Sequence, residues 1–174
     1  MGAGKTTLGR KLAEMMKLSF LDLDHYIEQR YHRTVSEIFA ERGEEGFREI
    51  ERQLLHEVGT FENVIVATGG GVSCFYDNAS FMNSHGISVY LKTSVPVLFN
   101  RLRIAKNTRP ILSGKTDEEL EAFISQSLSL REPYYKQATL IFDADNLDSR
   151  EQILEATVEL STLLENHFGS EASF

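Results

Sequence analysis

One cysteine, three prolines and no unbroken apolar run approaching the roughly 18 residues of a membrane span leave whole classes of protein out of consideration. Cys74 alone makes neither an intramolecular disulfide nor a cysteine-based zinc site, and the opening Met1-Gly2-Ala3-Gly4-Lys5 lacks the apolar core of a secretory signal, so a reducing cytoplasm is expected. Pro96, Pro110 and Pro133 are scattered, and no Pro/Gly/Ser-rich linker, repeat or low-complexity block divides the 174 residues, which implies one domain. Basic charge is also short: 18 Lys and Arg against 26 Asp and Glu give a formal charge of −8, so a chain-wide footprint for nucleic acid is absent. No nucleic-acid or membrane partner is expected, and the chain is expected to be a monomer. Any anion it binds must be held by local cations.

What is present is an alternation of helical and strand patterns. Leu8, Leu12, Met15 and Met16 share one face of a helix from about Lys5 to Met16, and Phe20 to Asp24 reads as a short strand ending in acids. Thr34 with Glu37 is a capping-box signal for a helix to about Arg42, with Gly43 as its stop and a second helix from about Glu44 to Val58. Val64 to Ala67, Ile87 to Leu91 and Thr139 to Phe142 are further strands. Ser94-Val95-Pro96 opens a helix, Thr116 with Glu119 caps another to about Leu130, and Ser149 with Gln152 caps a last one. Residues 169–174 are expected to fray. This rhythm implies an α/β layered fold with a mainly parallel sheet, whose ligand lies beyond the carboxyl ends of the strands.

Gly2-Ala3-Gly4-Lys5-Thr6-Thr7 matches the second half of the phosphate-binding pattern G-x-x-x-x-G-K-[ST]. Glycines let backbone N–H groups converge on phosphate at a helix N-terminus, Lys5 adds a cation, and the Thr6 hydroxyl suits Mg²⁺. The bland alternative, a chance Gly-Lys-Thr, is disfavoured by the amphipathic helix and acid-ended strand that follow. The first glycine, and the buried strand such a loop follows, are missing from the given sequence. In doubly wound nucleotide kinases that strand is central, so its absence is expected to expose two neighbouring strand edges.

Asp22 and Asp24, one residue apart on a strand, are expected on the same face, one serving a magnesium shell and the other a substrate hydroxyl. A solvated strand end is the alternative for this pair. Gly69, Gly70 and Gly71 follow a buried strand and allow close backbone approach to a ligand. Arg48, at i+3 spacing from Glu51, and Arg131 are planar forks suited to a carboxylate, and Arg109 lies in an aperiodic basic loop that could close on a phosphoryl group. Each arginine taken singly also fits an ordinary surface ion pair. The five histidines show no metal-ligand spacing.

Together these signatures, with Gly43-Glu44-x-x-Phe47-Arg48-x-x-Glu51, Arg109-Pro110-x-Leu112 and Arg131-x-Pro133-Tyr134, resemble shikimate kinase over roughly residues 1 to 145. The resemblance implies a three-layer, doubly wound parallel sheet of the P-loop nucleoside-monophosphate-kinase type, lacking its first central strand here. It implies a single kinase domain over residues 1–168, a mobile lid at about 105–115, substrate-binding helices at about 25–58 and a frayed tail at 169–174. The implied activity is ATP-dependent phosphorylation of the 3-hydroxyl of shikimate, with ATP and Mg²⁺, on the route to chorismate and aromatic amino acids. By that resemblance Lys5, Asp24 and Arg109 are catalytic, and Gly2, Ala3, Gly4, Lys5, Thr6 and Thr7 hold the nucleotide. Asp24, Arg48, Gly69, Gly70, Gly71 and Arg131 hold shikimate, Glu51 orients Arg48, and Thr6 and Asp22 serve the metal. The adenine-stacking arginine maps onto Arg101 or Arg103, with Arg103 provisionally preferred. Rival readings are a gluconate-type or nucleoside monophosphate kinase of the same fold, and an inactive module that binds shikimate without turnover.

Overall fold

The computed structural model describes residues 2–104 and 114–171, with side chains described to residue 168. Among them lie α1 (Lys5–Met16), β1 (Ser19–Asp22), α2 (Leu23–Tyr31), α3 (Val35–Val58), β2 (Val64–Ala67), a 3-10 turn (Val72–Cys74) and α4 (Asn78–His85). They are followed by β3 (Val89–Lys92), α5 (Val95–Ile104), α6 (Asp117–Tyr135), β4 (Leu140–Asp143) and α7 (Arg150–Glu171).

All strand pairing is parallel, as the alternation of elements requires. Ser19 of β1 stands opposite Val64 of β2 and Asp22 opposite Ala67, while Val89 of β3 stands opposite Leu140 of β4 and Lys92 opposite Asp143. The strands form two pairs, β1-β2 and β3-β4, and neither pair gains a third strand among the described residues. What joins them is side-chain packing. Leu8 and Leu12 of α1 share one apolar cluster with Ile65 of β2, Val89 and Leu91 of β3, Phe142 of β4 and Leu160 and Leu164 of α7. Burying a leucine such as Leu8, 1% exposed, contributes about 1.5–3 kcal/mol, so α1 is anchored across both pairs. A second cluster seats α2 and α3 together through Leu23, Ile27, Phe47, Ile50 and Leu54, and a third joins α5 to α6 through Leu98, Leu102, Leu120 and Ile124.

Local signals fold as read. Both capping boxes close, Thr34 with Glu37 and Thr116 with Glu119, and Ser149 Oγ accepts the Gln152 N–H at 3.2 Å. Several boundaries differ. β1 ends at Asp22, which is the N-cap of α2 and accepts the His25 N–H, so Asp24 sits in the first helical turn and not on the strand face expected for the pair. A carboxylate is more useful at that cap, where orphan N–H groups and the helix dipole both favour it. Gly43 breaks the helical path with φ 69 and ψ −174, yet the backbone resumes at once, giving a kinked α3. α6 runs past Leu130 to Tyr135 with Pro133 inside its last turn, and α7 continues as helix to Glu171, beyond the fraying expected from residue 169. The expected lid and Arg109 lie outside the described residues, apart from Gly114 and Lys115.

Candidate active site

The site forms where α1 begins and where β1 and β2 end. Gly4 caps α1 with φ 86, a left-handed conformation that side chains rarely adopt, and a Cβ there would lie 2.9 Å from Leu147 Cδ1. No side chain caps this end and its first turn carries no acid. The opening N–H groups of a helix have no intrahelical partners, so such an end with its positive dipole suits phosphate. Ala3 packs against the α5-α6 cluster, which fixes the loop from the other side, and Thr7 is exposed in the first turn.

Thr6 Oγ1 donates to Asp22 Oδ2 at 3.0 Å, which brings the hydroxyl of the loop to the end of β1. These two hard oxygen donors are chemically suited to Mg²⁺. Asp24 retains solvent access at the cleft mouth but is ringed by protein groups. That partial desolvation, reinforced by the neighbouring charge of Asp22, pushes its carboxyl above the usual range, while Lys5 and Arg48 pull the other way. Lys5 and Arg48 therefore both act on Asp24.

Arg48 is well enclosed, with 11% of its side chain exposed. Its Nη1 donates to Glu51 Oε2 at 2.7 Å and Nη2 to Glu44 Oε1 at 3.4 Å. The guanidinium lies 4.3 Å from the centre of the Phe75 ring, 5.3 Å from Phe47 and 5.8 Å from Phe39. Its Nε is buried without a hydrogen-bond partner among the described residues. Burial pushes the Glu51 carboxyl up, and Arg48 counters it. A hollow of about 340 Å³ opens beside this arginine, lined by Glu44, Glu45, Phe75 and Tyr76.

The glycine run closes the cleft. A Cβ on Gly71 would stand 2.8 Å from both Nη atoms of Arg48, and one on Gly69 would stand 3.2 Å from Asp24 Oδ1, so only a bare backbone lets the strand end approach both groups. Arg131 of α6 faces the same space, since its charge acts on Glu51, Cys74 and Tyr135. Arg48 and Arg131, which the resemblance placed in one substrate site, both act on Glu51, and Arg48 also acts on Asp24.

Arg101 and Arg103 part company. Arg101 spends its guanidinium on Asp148 at 2.8 Å, the Ala144 carbonyl at 3.1 Å and the Asp145 carbonyl at 2.7 Å, pinning the turn after β4. Arg103 lies 5.7 Å from the centre of the Phe99 ring and 3.9 Å from Asp117, with 54% of its side chain exposed. Sequence reasoning missed the aromatic cage of Arg48 and the role of Tyr135, whose hydroxyl donates to the Gly70 carbonyl at 2.5 Å. The i, i+4 spacing of Arg131 and Tyr135 carried that signal, but it shows only if α6 is extended past Leu130.

The shikimate kinase family model matches residues 1–161. The shikimate kinase of Bacteroides thetaiotaomicron is 58% identical over 165 residues, 95% of this chain and 94% of that protein. That of Parabacteroides distasonis is 54% identical over 164 residues, 94% of this chain and 95% of its own length. A crystal structure of the Bacteroides thetaiotaomicron shikimate kinase superposes with a TM-score of 0.92 at 57% identity, covering 95% of this chain and 94% of that one. Shikimate kinase from Acinetobacter baumannii in complex with shikimate gives 0.81 at 36% identity, covering 95% and 89%. With the family model matched over most of the chain and relatives more than half identical along nearly their whole length, the chain belongs to the shikimate kinase family.

Proposed function

We propose that this ATP-dependent kinase of the shikimate kinase family phosphorylates the 3-hydroxyl of shikimate with the residues of this cleft in distinct roles. The observation that carries the reading is the convergence of a buried arginine fork, with one donor unpartnered, on a carboxylate held 3.2 Å from the Cβ position of Gly69. Arg48 and Arg131 receive the substrate carboxylate, and the backbone of Gly69, Gly70 and Gly71 shapes the ring site. Asp24 accepts the proton of the attacking hydroxyl, and its raised carboxyl makes it a stronger acceptor than an ordinary aspartate.

Gly2 to Thr7 cradle the nucleotide phosphates, and Lys5 offsets the charge of the phosphoryl group in transfer. Arg109 adds a second cation by family resemblance. With Arg101 committed to the turn after β4, Arg103 is the arginine available for the adenine. Thr6 and Asp22 would hold Mg²⁺, which when bound neutralises phosphate charge. The test is ADP release with shikimate, gluconate and AMP supplied in parallel. Release stimulated by shikimate alone supports the reading. Stimulation by gluconate or AMP instead, or shikimate binding without ADP release, overturns it.

A further inference from the structure

We propose that Tyr135 is a positioning residue of the acceptor site, a latch that holds the glycine run and Arg131 as one wall against the carboxylated substrate. This rests on the reading that Arg131 and the glycine run bind that substrate. A run of glycines has no side chains to fix it and the greatest backbone freedom of any sequence, so a binding role for it demands an external anchor. Tyr135 supplies one from α6: its hydroxyl donates to the Gly70 carbonyl at 2.5 Å. The backbone hydrogen bonds to the run's other carbonyls are local, Val72 N–H to Gly69 at 3.3 Å and Cys74 N–H to Gly71 at 2.9 Å. Cys74 Sγ approaches the Gly70 carbonyl only at 4.0 Å.

The latch has a fixed base. The Tyr135 ring lies 5.1 Å from that of Tyr90 on β3, tilted by 40°, so one side chain spans from the β3-β4 pair to the loop that follows β2. Arg131 stands one turn back on the same face of α6, where its side chain hydrogen-bonds the phenol oxygen and its charge acts on it. A peptide group is planar and trans, so turning the Gly70 carbonyl toward α6 also turns the Gly71 N–H the opposite way. One hydrogen bond thereby sets the loop's donor direction and ties it to the helix that carries Arg131.

Tyr135→Phe deletes the hydroxyl and keeps the ring against Tyr90. The expected result is a shikimate KM and a calorimetric shikimate Kd both raised about tenfold, the scale of one hydrogen bond, with kcat, ATP KM and melting midpoint close to the parent's. An unchanged shikimate KM in an active parent background overturns the latch and leaves the functional reading intact. Shikimate and ATP KM rising together overturns it as well, because that is the pattern of a merely structural role. A parent that neither binds nor phosphorylates shikimate overturns the functional reading and this inference with it. Amide exchange on the unmodified chain covers a variant that does not fold: shikimate should slow residues 69–74 and 131–136 together, and slowing of one segment alone counts against the latch.

Discussion

Glu51 Oε2 accepts a 2.7 Å hydrogen bond from Arg48 Nη1 one turn away on α3, and the carboxylate side chain of this pair is only 2% exposed. This buried acid holds the guanidinium that lies 4.3 Å from the centre of the Phe75 ring, and it also feels the charges of Asp24 and Arg131. Removing one partner of a buried pair leaves an uncompensated charge at about 3–5 kcal/mol. Glu51→Ala is therefore expected to lower the melting midpoint sharply and raise the shikimate KM. Glu51→Gln, which keeps an acceptor, should retain more of both. Chemical denaturation and steady-state kinetics on the two variants check the order.

Asp24 should trade stability against activity. Its carboxyl is raised above the usual 3.8, first by burial and then by Asp22, so the folded state is penalised whenever Asp24 is ionised. The penalty is complete above the folded-state pKa and vanishes below about 3.8, where the group is protonated folded or unfolded. Asp24→Asn is expected to melt higher than the parent at pH 7, with the difference shrinking as the pH falls toward that value, and to lose turnover. Melting curves from pH 4 to 8 test the sign, and a variant less stable at pH 7 would contradict it.

Gly71 offers a conservative probe of the arginine fork. The added methyl of Gly71→Ala would stand 2.8 Å from both Nη atoms of Arg48, so the guanidinium must shift from Glu51 or from the cleft. The expected outcome is a shikimate KM raised roughly five- to tenfold, part of the value of a charged hydrogen bond, with ATP KM unchanged. Full initial-rate kinetics in both substrates would show it.

On the proposed reading, Lys5→Ala is expected to cut kcat about 100-fold or more while leaving the shikimate Kd near that of the parent, because that reading gives Lys5 the phosphoryl group and Arg48, Arg131 and the glycine run the acceptor. Single-turnover rates beside calorimetric shikimate binding separate the two effects. Equal kcat in variant and parent would remove Lys5 from the chemistry.

Short-range rules are legible in a linear sequence, and they determined the element order of this protein. Thr34 with Glu37 and Thr116 with Glu119 close their capping boxes within one turn, and Gly4 opens α1 through its own backbone angle, so nothing distant is needed to read them. The resemblance of the motifs to shikimate kinase came from the same local patterns. Tertiary structure decided everything that depends on who meets whom. Asp24 left the strand face because Asp22, at the end of β1, became the N-cap of α2, and Asp24 acquired its raised carboxyl from the protein packed around it. Arg101 and Arg103 look alike in sequence, yet only the first reaches the carbonyls after β4. Arg48 and Arg131 come to act on the same Glu51 because α3 and α6 both contact the 3-10 turn that follows the glycine run, with Tyr135 bonded to Gly70. Charge, desolvation and the direction of a carbonyl are properties of an enclosed space, and the enclosure exists only once the layers have packed.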